Sequence, residues 1–270
     1  MAYSWDVPSI DPAETTEEIC RFIRDVVDNA GAQGVVVGLS GGVDSSVTAA
    51  LCVRALGPSR VLALLMPTSF TPKRDVEDAM DLARSLGVEY KVIHIDDIVE
   101  AFLNALPYKQ GDPSYRMPAA NLRARVRMVI LYYHANLMRR LVAGSGDRSE
   151  LLIGYFTKYG DGAVDFLPIA HLYKTQVREL ARWLGIPERI AYKPSSPQLY
   201  PGHRAVDELP ADYPVLDKVL VGLFELRLKP REVAERLNIA EELVLETLRR
   251  YESTIHKRRL PPMLKPLPAL

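Results

Sequence analysis

Apolar residues recur at helical spacing near the start of the chain, and a short β-branched run follows them. The helical positions are Ile19, Phe22, Ile23, Val26 and Val27. Residues 35–37 are three consecutive valines, which is typical of a strand buried inside a parallel sheet. A glycine-rich turn at 38–45 separates this run from a second helical pattern at 47–56. The first 56 residues therefore predict a helix, a buried strand and another helix.

The same order continues through the middle of the chain. Predicted strands cover 61–66 and 88–95, and predicted helices cover 72–86, 98–106 and 122–141. Residues 151–154 form a further short apolar run ahead of a loop. Strands that alternate with helices in this way favour a doubly wound parallel sheet with helices on both faces, which places the chain in the α/β class.

The pattern changes towards the C-terminus. Residues 187–214 are rich in proline and poor in apolar runs, so we expect a long loop there. Helical patterns return at 215–228 and 240–251, which predicts a C-terminal helical extension.

We expect these parts to form one domain over residues 1–270. It would consist of an α/β core at 13–190, a loop at 191–214 and a helical segment at 215–262. A loop of this length without secondary structure is often functional, so we interpret residues 197–210 within it as a mobile lid over the substrates.

Charge and composition narrow the classes of function. Lys and Arg total 34, as do Asp and Glu, so the formal net charge is zero and we expect no nucleic-acid partner. No segment approaches the ~20 apolar residues of a membrane span, and residues 1–11 lack the pattern of a secretory signal; both favour the cytoplasm. Cys20 and Cys52 are isolated within helical stretches, so we interpret them as buried side chains rather than zinc ligands or a disulfide.

The glycine-rich turn predicts a phosphate site. It consists of Gly38, Leu39, Ser40, Gly41, Gly42, Val43, Asp44 and Ser45. The turn follows a predicted strand and opens a helix, where backbone N–H groups and the helix dipole favour an anion. It lacks the lysine of the kinase and GTPase loop, and Asp44 would instead help to hold Mg²⁺ on the phosphates. The alternative is an ordinary turn whose Asp or Ser caps a helix.

The motif S-G-G-V-D-S at 40–45 resembles the PP-loop of the ATP pyrophosphatases, which cleave ATP between its α and β phosphates. That superfamily includes NAD synthetases, GMP synthetases, asparagine synthetases and enzymes that thiolate tRNA. The loop alone does not choose among them. The segment 154–162, G-Y-F-T-K-Y-G-D-G, resembles the G-[FY]-F-T-K-Y-G-D-G segment of the ammonia-dependent NAD synthetases.

Other segments resemble the same family in the same order. They are N-L-R-A-R-V-R-M at 121–128, Glu150 eight residues before Lys158, Lys174 nine residues after Asp165, the serines at 195–196 and H-K-R at 256–258. Two departures stand out. Ser145 replaces a frequent threonine, and residues 197–210 are less acidic than the corresponding family loop.

The resemblance implies an adenine nucleotide α hydrolase-like fold and a specific reaction. Deamido-NAD (nicotinate adenine dinucleotide), ATP and ammonia would react through an acyl adenylate to give NAD, AMP and pyrophosphate, with free ammonia as the nitrogen donor for this chain alone. The implied ATP-binding residues are the turn 38–45, Ser145, Lys174 and Ser196. The implied deamido-NAD-binding residues are Arg125, Lys158, Asp165, His256 and Lys257.

Metal binding and catalysis involve some of the same residues. The resemblance implies that Asp44 and Glu150 hold Mg²⁺, and that Asp44, Lys174 and Asp165 are catalytic. Asp165 or Asp161 could attract ammonium and accept its proton, and the sequence does not choose between them.

The helix predicted at 122–141 is apolar on more than one side. Its broad apolar face is formed by Leu122, Val126, Val129, Ile130, Tyr133 and Leu137. Such a helix needs more cover than one sheet face usually provides. The resemblance implies a homodimer with shared active sites, in which Arg125 reaches deamido-NAD bound mainly by the other subunit and Lys174 serves ATP within its own.

Two alternatives remain. Another PP-loop enzyme, either amidating or tRNA-thiolating, would share the first motif, although the thiolating enzymes depend on reactive cysteines or a zinc ribbon. A nucleotide-sensing DNA-binding protein is suggested by a possible helix–turn–helix at 230–250. Glu241, Glu242 and Glu246 would face repulsion from DNA phosphates in that reading.

Overall fold

The computed structural model describes residues 5–264, so residues 1–4 and 265–270 of the predicted domain lie outside the described part. The strands are β1 (Val35–Gly38), β2 (Val61–Leu65), β3 (Glu89–Val92) and β4 (Leu141–Ala143). The helices in the first part of the chain are α1 (Pro12–Asn29), α2 (Val43–Leu56), α3 (Lys73–Ser85), α4 (Asp96–Ala105), α5 (Arg116–Met138) and α6 (Arg148–Ile153). Those that follow are α7 (Lys174–Trp183), α8 (Glu188–Ala191), α9 (Tyr213–Leu220), α10 (Pro230–Leu237) and α11 (Glu241–Ser253).

The four strands form one parallel sheet in the order β3-β2-β1-β4. Val36 in β1 pairs with Leu62 on one side and with Val142 on the other. The chain winds one way through β2 and β3 and then returns to the opposite side of β1. In an open α/β sheet, ligands bind outside the carboxyl ends of the strands at such a switch point. The loops after β1 and β4 meet there.

Two separate cores cover the faces of the sheet, because successive side chains of a strand point to opposite sides. Val35 and Val37 pack with α1, α2 and α7 in the larger core. Val36 and Val142 pack with α4 and α5 in the smaller one. The predicted α/β class, with a doubly wound sheet and helices on both faces, is confirmed.

Several predicted boundaries were wrong near the edge strands. The helix predicted at 122–141 begins at Arg116 and ends at Met138, and the residues after it form β4. A strand of three residues is too short to show a period of its own. The apolar run at 151–154 covers the end of α6, and β3 is shorter than predicted.

The C-terminal helical extension packs against the core instead of standing apart. Helix α9 contacts α6 and α7, and Trp5 Nε1 donates a hydrogen bond to the Lys218 carbonyl. The helix predicted at 215–228 continues from α9 as a π-helical turn, Val221–Glu225. The predicted loop at 187–214 contains α8 and a single 3₁₀ turn, Ala205–Asp207.

Two of the composition-based expectations concern features that the structure describes. Cys20 and Cys52 are buried and free, as predicted. Within residues 5–264, none of the helices is both long and apolar enough to cross a membrane.

Candidate active site

The glycine-rich turn joins β1 to α2 and leaves the start of that helix open. Gly41 has a φ of +75°, and a Cβ there would lie 2.3 Å from the Asp75 carbonyl oxygen, so the position requires glycine. Ser45 Oγ accepts a hydrogen bond from Ser40 N at 3.2 Å, which shapes the turn from within. Gly42 is the N-cap of α2 and has no side chain to occupy the first N–H groups. The turn therefore presents backbone donors to an anion.

A buried lysine and three carboxylates lie beside this turn. Lys174 Nζ is 2.7 Å from Asp44 Oδ2, 2.8 Å from Asp147 Oδ2 and 2.9 Å from Glu150 Oε1. The side chains of Lys174 and Asp147 are fully buried, whereas those of Asp44 and Glu150 are 20% exposed. We call these four residues the Lys174 cluster. It unites three of the predicted site residues with Asp147, which was not predicted from the sequence.

The Lys174 cluster contains one positive and three negative groups, so its charges do not balance. Burial acts to lower the pKa of Lys174, but the carboxylates of Asp147, Asp44 and Glu150 together outweigh it and raise that pKa well above its usual value. Burial also raises the pKa of Asp147 to about 7 and that of Glu150 well above its ordinary range, against the opposing effect of Lys174. One ammonium cannot neutralise three carboxylates, so the cluster favours either bound protons or a further cation.

Each member of the cluster stands at the start of a helix. Asp44 is in the first turn of α2, and Lys174 is the first residue of α7. Asp147 is the N-cap of α6 and accepts a hydrogen bond from Glu150 N at 2.8 Å, which places the Glu150 side chain one turn away. The signal for Asp147 was a capping residue just before Glu150, but its contact with Lys174 depends on the fold.

The same carboxylates fit a hard divalent cation. Ligand oxygens of Asp44, Asp147 and Glu150 all lie within 4.8 Å of one another. Asp44 Oδ1 is buried, and no group within residues 5–264 hydrogen-bonds to it. Carboxylate oxygens beside a phosphate site are the ligands that Mg²⁺ prefers. The donor set therefore agrees with the predicted pair, Asp44 and Glu150, and adds a third carboxylate.

A lysine near the C-terminus holds the second motif, residues 154–162, in place. Lys257 Nζ donates to the carbonyls of Gly154 at 2.7 Å and Phe156 at 2.8 Å, so this predicted substrate-binding lysine also has a structural function. Arg125 is exposed, and its Nη2 donates to the Lys158 carbonyl at 3.3 Å. The structure thus brings Arg125, Lys158 and Lys257 to the same motif. His256 is exposed in the adjacent 3₁₀ turn.

Asp165 lies beside β4, and its hydrogen bonds are with residues outside the Lys174 cluster. Its Oδ2 accepts a hydrogen bond from Val142 N at 2.7 Å, and its Oδ1 accepts one from Tyr132 Oη at 3.1 Å. Burial and the nearby Asp165 raise the pKa of Tyr132 to about 12. Asp161 accepts from Thr157 N at 2.9 Å. Both carboxylates named as proton acceptors are therefore hydrogen-bonded to the chain.

The remaining predicted ATP contacts occupy two different loops. Ser145 follows β4 in the segment that leads to Asp147. Ser196 is exposed, and its hydroxyl donates to the His203 carbonyl within the 191–214 loop.

That loop is docked onto the second motif through Glu208. Glu208 Oε2 lies 3.0 Å from both Tyr155 Oη and His203 Nε2, and Glu208 Oε1 accepts from Tyr200 Oη at 2.5 Å. The Tyr200 ring stacks on the His203 imidazole with 3.8 Å between centroids. The contact with Tyr155 ties the loop to the second motif, and those with Tyr200 and His203 hold Glu208 in place within the loop. Glu208 was not among the residues predicted from the sequence.

Comparison with known proteins agrees with the motifs. The NAD synthase family model matches residues 15–261. The NH(3)-dependent NAD(+) synthetase of Hyperthermus butylicus is 54% identical over 258 residues, which cover 95% of this chain and 92% of that protein. The solved NMN synthetase of Francisella tularensis is 32% identical with a TM-score of 0.82, covering 94% of this chain and 99% of the other.

A second solved structure is similar to the same extent. The NH3-dependent NAD synthetase of Campylobacter jejuni has a TM-score of 0.80 at 35% identity, and the alignment covers 95% of this chain and 100% of that one. A family match over nearly the whole chain and a relative above half identity agree with the phosphate turn and the Lys174 cluster. The chain belongs to the NAD synthase family.

Proposed function

We propose that this chain catalyses the ATP-dependent amidation of deamido-NAD with ammonia, giving NAD, AMP and pyrophosphate. The observation that carries the proposal is the Lys174 cluster, which sits at the open start of α2 beside a turn without the kinase lysine. The 54% identity to an NH(3)-dependent NAD(+) synthetase supports the choice of substrates. A cytoplasmic location stays a prediction.

In the first step, a carboxylate oxygen of the nicotinate attacks the α-phosphorus of ATP and pyrophosphate leaves. Two unit charges of like sign 4 Å apart cost about 4 kcal/mol at an effective dielectric near 20. The N–H groups of the turn would bind the phosphates, and the positive charge of the nearby Lys174 ammonium would help to offset this repulsion. Asp44, Asp147 and Glu150 would hold Mg²⁺, which when bound neutralises phosphate charge.

In the second step, the nitrogen of ammonia attacks the acyl carbon, AMP leaves and the nitrogen loses a proton. Neutral ammonia must be present at the acyl carbon, so a carboxylate near it would attract ammonium and take its proton. Asp165 and Asp161 remain the two candidates. Arg125, Lys158, His256 and Lys257 would bind the dinucleotide; their charges and the exposed position of Arg125 suit a phosphate-bearing ligand.

The proposed function is tested by mass spectrometry of the products. The protein is incubated with ATP, Mg²⁺ and ammonium, and either deamido-NAD or nicotinate mononucleotide is added as the acceptor. NAD, AMP and pyrophosphate should appear together with deamido-NAD. A clear preference for the mononucleotide would shift the assignment towards the reaction named for the Francisella tularensis protein, and ADP as the product would contradict the whole scheme.

The loop at 191–214 is proposed to be a lid that opens for substrates. Cleavage by trypsin can test whether this loop opens. Arg204 is an exposed cleavage site in the loop, whereas the bond after Lys193 is resistant because a proline follows it. We expect cleavage after Arg204 in the free protein and protection with ATP and deamido-NAD bound. Glu208→Gln weakens the docking contacts and should speed cleavage in both states. Equal rates of cutting with and without substrates would contradict a lid.

An exposed apolar stripe on α5 supports the proposed homodimer. Val129, Tyr133 and Leu137 are spaced four apart and are 59%, 65% and 68% exposed. The face predicted as one broad surface is thus divided, because Val126 packs against the sheet instead. A contiguous apolar stripe of this kind is typical of a protein interface.

Shared active sites predict that two inactive variants complement each other. Lys174→Ala and Arg125→Ala are mixed after reversible dissociation, and activity is measured once dimers have re-formed. Random pairing makes about half the dimers mixed, each with one intact site of two, so about a quarter of wild-type activity should return. Mixed dimers without activity would place both residues in the site of one subunit.

A further inference from the structure

Asp217 is a buried carboxylate that the reaction scheme leaves unused. It lies on α9, in the C-terminal helical extension, and its side chain is completely buried. Its Oδ1 accepts a hydrogen bond from Ser149 Oγ at 2.5 Å, and its Oδ2 accepts one from Thr175 N at 2.9 Å. Within residues 5–264, no cationic side chain lies at ion-pair distance from it. Burying an anion without a direct counter-charge costs free energy, and the two hydrogen bonds of Asp217 are the interactions that offset this cost.

Both partners of Asp217 are neighbours of residues in the Lys174 cluster. Ser149 comes directly before Glu150, and Thr175 comes directly after Lys174. Ser149 Oγ also accepts a hydrogen bond from Lys174 N at 3.0 Å. A connected set of three hydrogen bonds therefore runs from α9 to the first turns of α6 and α7, the two helices that present Glu150 and Lys174.

Residues of α6 and α9 together cap the N-terminus of helix α7. Its own N-cap residue is Tyr173, whose hydroxyl instead donates to Glu225 at 2.9 Å. The first two N–H groups of α7 are satisfied by Ser149 and Asp217. A carboxylate at a helix N-terminus interacts favourably with the helix dipole and satisfies donors that the helix itself cannot. Asp217 thus supplies from another element what the local sequence lacks.

A second side chain of α9 reaches the same cluster. Tyr213 is four residues before Asp217, which places both on one face of the helix. Its hydroxyl donates to Glu150 Oε1 at 3.4 Å, and its ring centre lies 4.9 Å from Lys174 Nζ. The face of α9 that meets the core is therefore built around Lys174 and Glu150.

We propose that Asp217 is a positioning residue for the amidation reaction, and that it acts by fixing the starts of α6 and α7. Through Ser149 and Thr175 it holds Lys174 and Glu150 in position beside the phosphate turn, where they would act on ATP and its metal. The inference rests on the proposed function only in giving Lys174 and Glu150 the task of binding ATP and its metal.

Binding and kinetics of matched variants test this role. Asp217→Leu removes both acceptors in a side chain that branches at the same atom, and Asp217→Asn keeps the shape but loses the charge. The control Val219→Ala alters the same helix at a buried position that packs with Val233 and Val244 instead. The affinity for MgATP is measured by calorimetry, and kcat and KM for ATP are measured well below the unfolding temperature of each protein.

We expect Asp217→Leu to weaken MgATP binding about tenfold and to lower kcat about 10²-fold, since a shift near 1 Å in reacting groups has effects of that size. Asp217→Asn should show smaller changes of the same kind. Val219→Ala should lower the unfolding temperature and leave both constants within twofold. If Asp217→Leu does not fold, the measurements on Asp217→Asn test the proposal instead. A folded Asp217 variant with wild-type affinity for MgATP and wild-type kcat would overturn the proposal.

A double-mutant cycle with Ser149→Ala separates positioning from general stability. If Asp217 acts through Ser149, the double variant Ser149→Ala/Asp217→Asn should lose little more kcat than the worse single variant. Fully additive losses would mean that the two residues act independently, against the proposal. A wild-type protein that binds MgATP but forms no NAD would refute the proposed function, while the MgATP affinities would still decide the role of Asp217.

Discussion

Replacing Lys174 with Met is expected to lower kcat by about 10²–10³ and the free energy of unfolding by about 3–5 kcal/mol at pH 8. The catalytic loss follows because the buried ammonium is the cation that the cluster holds beside the phosphate turn. The stability loss follows because Asp44, Asp147 and Glu150 would remain close together without their shared partner. Breaking a buried pair from one side leaves uncompensated charge, which is why the effect is large.

The pH dependence of this stability loss has a definite sign. Burial already raises the pKa of Asp147 to about 7, and removing the ammonium would raise it further. A carboxyl group whose pKa is raised on folding binds a proton that the unfolded chain has released, so stability is lost as pH rises towards the folded value. The deficit of Lys174→Met should therefore be smaller at pH 6 than at pH 8 in urea unfolding experiments.

Mg²⁺ offers a second measurement on the same variant. With the ammonium gone, the three carboxylates should bind the ion more tightly, so Mg²⁺ should raise the unfolding temperature of Lys174→Met more than that of the wild type. Lys218→Met is the control, because Lys218 forms a partly exposed pair with Asp6 and its loss should change stability by less than about 1 kcal/mol. Equal stability of the wild type and Lys174→Met at pH 8 would contradict the described cluster.

Asp44→Asn should reduce kcat by about 10²–10³ with a smaller effect on stability. The amide has the same shape as the Asp44 carboxylate but removes one of the three negative charges around Lys174. It also removes a possible metal ligand, because Asp44 Oδ1 has no hydrogen-bond partner within residues 5–264. Residual turnover should still release AMP and pyrophosphate, since the phosphate turn is otherwise unchanged. Stopped assays with α-labelled ATP measure both the rate and the products.

Asp78→Asn is a matched control for this substitution. Asp78 is a buried carboxylate that pairs with Arg189 outside the cluster, so its loss should affect stability and leave kcat within about twofold. If Asp44→Asn kept most of its activity, Asp44 would not be the metal and phosphate residue that its place in the turn indicates.

Local features of this protein were readable from the sequence. The three valines of β1, the glycine turn and the apolar positions of α2 follow one another within about 20 residues, and their periods predict strand, turn and helix directly. The positive φ of Gly41 belongs to the same short stretch, whereas the Asp75 carbonyl that also excludes a Cβ there comes from another part of the chain. Asp44 was predicted from its place in the glycine turn, and Glu150 and Lys174 were predicted from the resemblance to the NAD synthetases; neither route needs knowledge of contacts.

The tertiary structure alone decided which distant residues meet. Lys174 and Asp44 are 130 positions apart, and their contact exists because the loops after β1 and β4 and the start of α7 share one edge of the sheet. Neither Asp147 nor Asp217 was predicted from the sequence, and β4 was too short to recognise. Periodicity reports which way a side chain faces along its own element, whereas these roles depend on how separate elements pack together.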